Sequence, residues 1–367
     1  MVTVILSLDY EIHGNGEGDP LKLMVAPTDR LLRLLDQYDA KLTIMADVGE
    51  ILKFREYATT HGTDRFHYEA IATQLQRAVR GGHDVQMHIH SSYFNASHDG
   101  RRWVQDWSEY NFAGLDPARM ADMIRAGKEF LESLLQPVKP AYRCSVFRAA
   151  NWSVCPSQNV VRALLDNGIY IDTSVFKYGV RRGLVNFDYE SAPSEMLPWR
   201  ADASALWRAD PHGEIWEIPI YSEHRNIAAF LNLNRVYQTV VGRFHRVPLS
   251  MAEPLAKPAH PSNPLVSAVR RLVRLPGGRA WKADFNKCTG AQLIHALKRG
   301  AQRHSSGGRS IPFVLIGHSK LFVTWNERTL RPFLAFVAAN RDRFTSGTYE
   351  SLGLTPSLDR QPPFGSR

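Results

Sequence analysis

The chain reads as an α/β protein with a mainly parallel sheet covered by helices. Three observations predict this. Short apolar runs of β type alternate with stretches of helical period from the first residues to about residue 343. In Val85-Gln86-Met87-His88-Ile89-His90, apolar and polar side chains alternate with the period of a strand. Polar residues collect where such runs stop: Asp9, Glu11, His88, His90, Arg148, Asp172 and His318. Parallel sheets place functional side chains beyond the carboxyl ends of their strands, so these residues are predicted to share one rim.

Val2 to Leu8 is a continuous apolar run and is predicted to be a buried first strand ending at Asp9-Tyr10-Glu11. The next segment, His13 to Pro20, is rich in turn formers. Thr28 or Asp29 is placed to cap a helix carrying Leu31, Leu32, Leu34 and Leu35. Leu42 to Ala46 predicts a second strand, with helices from about Gly49 and over Tyr68 to Arg80. The Gly81-Gly82 break then leads into the histidine strand, while Trp103 to Phe112 is aromatic and irregular. Asp116-Pro117 opens a long helix with Met120, Met123, Ile124, Phe130, Leu131 and Leu134 at helical spacing.

Tyr142 to Phe147 predicts a strand ending at Arg148, and Ser157 is placed to cap a helix stopped by Asn167-Gly168. Ile169-Tyr170-Ile171 leads to Asp172, and residues 176–213 are irregular. Ile215 to Ile220 is strand-like. Residues from about 244 to 284 are rich in proline and basic side chains and read as an insertion. A helix over Gly290 to Gly300, a strand over Phe313 to Ile316 and a helix over Glu327 to Arg343 complete the pattern, with Gly317 expected to turn the chain before His318. Residues 1–353 are read as a single catalytic domain and 354–367 as a disordered tail. There is no internal repeat.

Composition narrows the function classes. The chain has 367 residues, with 44% hydrophobic and 22% charged, as in an ordinary globular protein. No run of eighteen apolar residues offers a spanning helix. The start lacks a basic leader and reaches Asp9 quickly, and Cys144, Cys155 and Cys288 show no CxxC spacing; both features predict a cytoplasmic protein with reduced thiols. The net charge of +9 is concentrated late, between Arg243 and Lys282, without aromatic interleaving or a nucleic-acid motif, so nucleic acid is not an expected partner. Those basic residues are either a solvated loop or a surface that meets phosphate or an anionic membrane.

Residues two apart on a strand point to the same side, so His88 and His90 project together, with Gln86 below them. Two imidazoles and one carboxylate make a three-ligand site with positions left for water and substrate, and zinc is its usual occupant. A second carboxylate can then take a proton from water, an arginine can hold that base ionised, and a histidine can protonate a leaving nitrogen. Each residue also has an ordinary alternative. Asp9 and Glu11 could cap a strand end, Arg148 could be a buried structural arginine, and His318 could be a turn histidine.

Four blocks resemble the polysaccharide deacetylases of the NodB-homology, carbohydrate esterase family 4 group, in the order that family has them. They are Leu6-Ser7-Leu8-Asp9-Tyr10-Glu11, the Gly82–His90 stretch, Phe147-Arg148-Ala149-Ala150-Asn151-Trp152 and Ile316-Gly317-His318-Ser319. The resemblance implies a distorted (β/α) barrel, one divalent ion, and removal of an N-acetyl group from an amino sugar. It implies Asp9 as base, Arg148 as the arginine that orients it, and His318 as catalytic acid, with Asp172 supporting His318. The family's adjacent aspartates are here Asp9 and Tyr10, so Glu11 is the candidate ligand by displacement and Asp9 its competitor. The family spaces its two histidines four apart; here Ser92 stands four after His88, so either His90 replaces the second ligand or His83 contributes. The pattern is that of a divergent branch.

Three functions are compatible with these residues. The first is a zinc-dependent deacetylase acting on an N-acetylated sugar of a surface glycan or its precursor, including a lipid-linked sugar. The second is another non-peptide amide hydrolase, such as a deformylase. The third is a sugar-binding protein of the same fold without turnover.

Overall fold

The computed structural model describes residues 1–230, 232, 234–237, 278–304 and 309–356. Strand β1 (Val2–Tyr10) is buried along its whole length, as expected of a central strand paired on both edges. A short π-type turn leads into helix α1 (Ala26–Asp36), which starts before Thr28 with Pro27 in its first turn. Asp29 does not cap this helix and instead binds Gln74 and Arg77. Helix α1 buries Leu31, Leu32, Leu34 and Leu35, worth about 1.5–3 kcal/mol for each fully buried side chain.

Strand β2 (Leu42–Asp47) runs directly into helix α2 (Val48–His61). The Asp47 carboxylate accepts from Gly49 N and Glu50 N and so caps α2, which ends at Gly62 in the left-handed conformation. Helix α3 (Tyr68–Arg80) precedes strand β3 (Asp84–Ile89), and helix α4 (Pro117–Leu135) opens on the Asp116 cap. Strand β4 (Val146–Ala149), helix α5 (Gln158–Asp166) and strand β5 (Ile171–Asp172) follow.

Within the segment read as irregular, β6 (Trp199–Asp202) and β7 (Ala205–Ala209) form an antiparallel pair, followed by β8 (Ile215–Glu217). Strands β9 (Ser222–Arg225) and β10 (Arg279–Lys282) pair with each other. Helix α6 (Gly290–Arg303), strand β11 (Ile311–His318), helix α7 (Thr324–Ala339) and strand β12 (Phe344–Ser346) close the order.

Among the described residues the main sheet runs β7-β6-β8-β5-β4-β3-β2-β1-β11, with β12 also on β1. From β8 to β11 every neighbouring pair is parallel, and only β6 runs against the rest, antiparallel to both β8 and β7. The sheet curls until the segment after β8 meets β11: Tyr221 N donates to Val314 O, Ile316 N to Ala283 O, and Phe285 N to Ile316 O. Closure through single hydrogen bonds rather than a full ladder makes the barrel distorted. The fold is thus an α/β barrel of the kind the sequence motifs imply.

Three local expectations are corrected. Tyr142 to Ser145 are not strand, because the side-chain carbonyl of Gln86 accepts from Ser145 N and Val146 N, and Tyr142 Oη donates to Val85 O. Ser157 does not cap α5; its hydroxyl donates to Val154 O. Gly317 does not turn the chain but lies inside β11, where the Phe285 ring packs so close that a Cβ would stand 2.1 Å from it. Of the region read as an insertion, residues 279–282 form β10, whereas 244–277 lie outside the described residues. Of the tail, residues 357–367 lie outside them, while Leu354 is buried and Thr355 O accepts from the Trp216 indole.

Candidate functional site

The parallel register sets the site. Asp9 lies opposite His318, Asp47 opposite His88, and His88 opposite Arg148, all at the carboxyl ends of their strands. Asp9 and Glu11 are two apart and share a side, as do His88 and His90. The structure therefore brings Asp9, Glu11, His88, His90, Arg148 and His318 to one rim.

Glu11 is at the centre. Its Oε2 is 3.3 Å from His88 Nε2 and 3.2 Å from His90 Nδ1, yet it is buried without a well-aligned hydrogen bond. Oε1 takes the ammonium of Lys320 at 2.7 Å. Burial raises the Glu11 pKa, but Lys320, His90 and His88 outweigh it and hold the carboxyl well below its ordinary range. His88 Nδ1 is 2.9 Å from the Arg148 carbonyl, which can only accept; Nδ1 therefore carries a proton, and Nε2 is the ring atom that faces Glu11. One ligating atom from each of Glu11, His88 and His90 lies within 4.8 Å of the others.

This donor set fits a divalent metal. A bare carboxylate oxygen facing two imidazole nitrogens, one with its tautomer fixed from behind, is the arrangement of a carboxylate–histidine cation site. Burial disfavours the imidazolium of His88, but Asp9 and Glu11 push its pKa up to about 9. The pocket thus holds excess negative charge that a proton, or a cation in its place, must neutralise. Asp47 Oδ2 lies 2.6 Å from His90 Nδ1 and adds to that charge.

Asp9 is occupied differently. Its Oδ1 accepts from Arg148 Nη1 at 2.7 Å, and its Oδ2 is 3.6 Å from His318 Nε2. Burial alone would raise its pKa, but Arg148, His88 and His318 lower it, so Asp9 stays ionised. Arg148 is fully buried, and its remaining donors bind Thr173 O, Ser7 Oγ and Tyr349 Oη. Holding Arg148 in this way fixes the direction from which Asp9 is held.

His318 is seated by a bond from its backbone N–H to Asn286 Oδ1 at 2.6 Å, and its ring meets Trp152 edge-on at 6.3 Å. Burial lowers its pKa to about 4, against the pull of Asp9 and Glu11. The contrast with His88 has a plain cause. His318 stands 4.0 Å from Glu11, where His88 stands at 3.3 Å, and Lys287 and Lys320 repel its charge.

Two sequence candidates lie elsewhere. Asp172, taken to support His318, accepts from Ser174 N and Ser174 Oγ, and the neighbouring Glu217 carboxyl is pushed well above its usual range by burial and by Asp172 itself. Among the described residues Asp172 makes no contact with His318; the residue that fixes His318 is Asn286. His83, the alternative ligand, is at the opposite end of β3 from His88, where its Nδ1 accepts from Leu42 N. Sequence reading missed Asp47 and Lys320. Asp47 was findable by the strand-end rule, since it directly follows the run Leu42 to Ala46, and Lys320 stands two residues after His318.

No protein-family model matches the chain, and no curated protein matches it in sequence. Solved structures match its fold. One is a provisionally named glycoside hydrolase/deacetylase from Parabacteroides distasonis, with 9% identity, a TM-score of 0.54, and coverage of 96% of this chain and 70% of that one. A second is the 4-alpha-glucanotransferase from Thermococcus litoralis, at 12% identity and a TM-score of 0.50; it covers 99% of this chain, which spans only 41% of that enzyme. A third is a family 4 carbohydrate esterase from Streptomyces lividans in complex with acetate, at 11% identity and a TM-score of 0.39, covering 99% and 97%. At such identities the likeness is one of fold.

Proposed function

We propose that the protein is a metal-dependent hydrolase that removes an acyl group, acetyl in the first instance, from the nitrogen of an amino sugar. The observation that carries this reading is the buried Glu11 oxygen facing His88 and His90, with Asp9–Arg148 on one flank and His318 beside Asp9. The shared fold with a structure named glycoside hydrolase/deacetylase supports it.

Glu11, His88 and His90 would hold the cation, zinc by ligand type. When bound, such an ion polarises the acyl carbonyl and acidifies water. The chain's own residues do the proton chemistry. Asp9, kept ionised by Arg148, takes the proton from the attacking water. His318 Nε2, 3.6 Å from Asp9 Oδ2, is placed to take that proton from Asp9 and carry it to the departing nitrogen. Its depressed pKa makes the transient imidazolium a strong acid, suited to a poor leaving group. The weakly basic neutral ring takes no lasting share of that proton.

Elemental analysis of the purified chain, together with acetate and formate release from a panel of N-acetyl and N-formyl amino sugars, tests the reading. One bound ion and release of either acid support it, and the acid released names the acyl group. A chain that stays metal-free when offered zinc, or that binds zinc and sugars without turnover, overturns it in favour of a sugar-binding role.

A further inference from the structure

Around the rim, three cations have carboxylate partners: Arg148 has Asp9, Lys320 has Glu11 and Lys287 has Asp284. Lys282 has no carboxylate within ion-pair distance among the described residues. Its Nζ instead sits 3.1 Å from the centroid of the Trp152 ring and 4.3 Å from that of Phe176. Trp152 is the same indole that meets His318 edge-on. An ammonium against two aromatic faces is attracted by their electron density, while Asp284 and Asp9 act on it only from beyond ion-pair distance.

Both sides of this arrangement are held rigidly. Lys282 pairs with Ser222 in the β9–β10 ladder, and the following Ala283 and Phe285 are hydrogen-bonded to Tyr221 and β11. Asn151 and Trp152 are consecutive non-glycine residues with φ of 56° and 58°. L-residues reach this left-handed region at a cost, and such outliers persist where the surroundings over-determine them. Here Tyr189 Oη donates to Trp152 O, while Tyr110 and Arg181 both donate to Asn151 Oδ1. The strain holds the indole beside the catalytic rim with the lysine against it.

We propose that Lys282, bracketed by Trp152 and Phe176, recognises an anionic substituent, carboxylate or phosphate, on the sugar processed at this site; the word sugar rests on the hydrolase reading above. Burial and Lys287 hold the Lys282 pKa well below the usual lysine range against the pull of Asp284 and Asp9, so an arriving anion is what favours its ammonium form. A neutral sugar supplies none. The substrate class is accordingly an N-acylated amino sugar bearing an acidic group, rather than a neutral glycan.

The test has a binding arm and a turnover arm. Glucose 1-phosphate, D-glucuronate and D-glucose are titrated against the full chain at constant ionic strength, with tryptophan emission as readout. At least one anionic probe should bind tenfold or more tightly than D-glucose, and that probe identifies the group. Lys282→Met should abolish the preference and Lys282→Arg should keep it; Lys282→Gln replaces the methionine variant if that variant melts early. Equal binding of anionic and neutral probes by the wild type, or an unchanged preference in Lys282→Met, overturns the proposal and makes Lys282 a structural strut. In the turnover arm, N-acetylglucosamine 1-phosphate and N-acetylglucosamine are compared, and the variant should raise KM for the anionic substrate while leaving kcat. Acetate release from both without preference sinks the anion site and spares the hydrolase reading. Anion preference without release from any sugar does the reverse.

Discussion

Lys320 Nζ lies 2.7 Å from Glu11 Oε1, and its second contact is the carbonyl of Ile12 at 2.8 Å. The lysine thereby fixes the rotation of the Glu11 carboxylate so that the other oxygen, Oε2, faces the two imidazoles. Asp9 has no such freedom, because Arg148 already claims it. The two acids, neighbours but one in sequence, are thus set to different tasks by different cations.

The first prediction follows from that division. Glu11→Ala should lose metal, whereas Asp9→Asn should keep a full complement and lose turnover. Elemental analysis of both variants, with acetate release, decides it. Retention of metal by Glu11→Ala alongside its loss from Asp9→Asn would transfer the ligand role to Asp9.

Arg148 and Asp9 form a fully buried pair, so removal of one partner leaves the other's charge uncompensated. Arg148→Met should destabilise the fold by about 3–5 kcal/mol. The double variant Arg148→Met, Asp9→Asn should recover part of that loss, because no buried charge remains. Urea unfolding of the three variants reads the coupling directly, and strict additivity would show that the pair contributes nothing as a pair.

His318→Ala should lower kcat by about 10²–10⁴-fold, the usual scale for general acid catalysis, with metal content unchanged. On an activated aryl ester, whose leaving group needs no proton, the loss should be much smaller. Equal losses on amide and ester, or loss of metal, would remove His318 from the acid role.

Asp84 offers a test of stability away from the chemistry. Its Oδ1 accepts from Val85 N and Gln86 Nε2, but its Oδ2 is buried without a partner, and burial pushes the carboxyl up to about 7. The unfolded value is about 3.9. Between about pH 4 and 7 the folded chain keeps a proton that the unfolded chain has released, so this group lowers stability as pH rises through that window, and no further above it. Asp84→Asn mimics the protonated form. It should match the wild type near pH 4 and exceed it at pH 8 by on the order of 1–3 kcal/mol. Denaturant melts at the two pH values check it, and a variant less stable than wild type at pH 8 would falsify the assignment.

The barrel and its rim were legible because the informative elements are local. The alternation around His88 places both imidazoles on one side through strand geometry alone, and Asp9 and Glu11 obey the same period of two. What stayed hidden depends on contacts distant in sequence. No local pattern says that Gln86 will take the amides of Ser145 and Val146, and so delay β4 until Val146. Gly317 looked like a turn residue because glycine usually is one, but the ring of Phe285, thirty-odd residues earlier, sets its identity. Asp172 sits on a strand end as the others do, yet β5 is short and its carboxylate is taken up by Ser174, two residues on. Lys282 fell within a basic stretch, and composition there gave no hint that its final residues return to the sheet.

The position of β1 bears on how the chain is made. Synthesis delivers β1 before the other strands of the sheet, but β11, which fills one of its edges, begins at Ile311, and β12, which pairs with its first residues on the β2 side, begins at Phe344. While the nascent chain lengthens on the ribosome, β1 can pair with β2, and β2 with β3, but β1 keeps one edge open. His318 reaches Asp9 only after about three hundred further residues have been made. Long-range parallel pairing of this kind is slow, and the open edge invites association with other chains. Ribosome-bound chains truncated before residue 311 should therefore remain protease-sensitive at β1 and bind chaperones, and protection should arrive in one step once residues 311–346 have emerged.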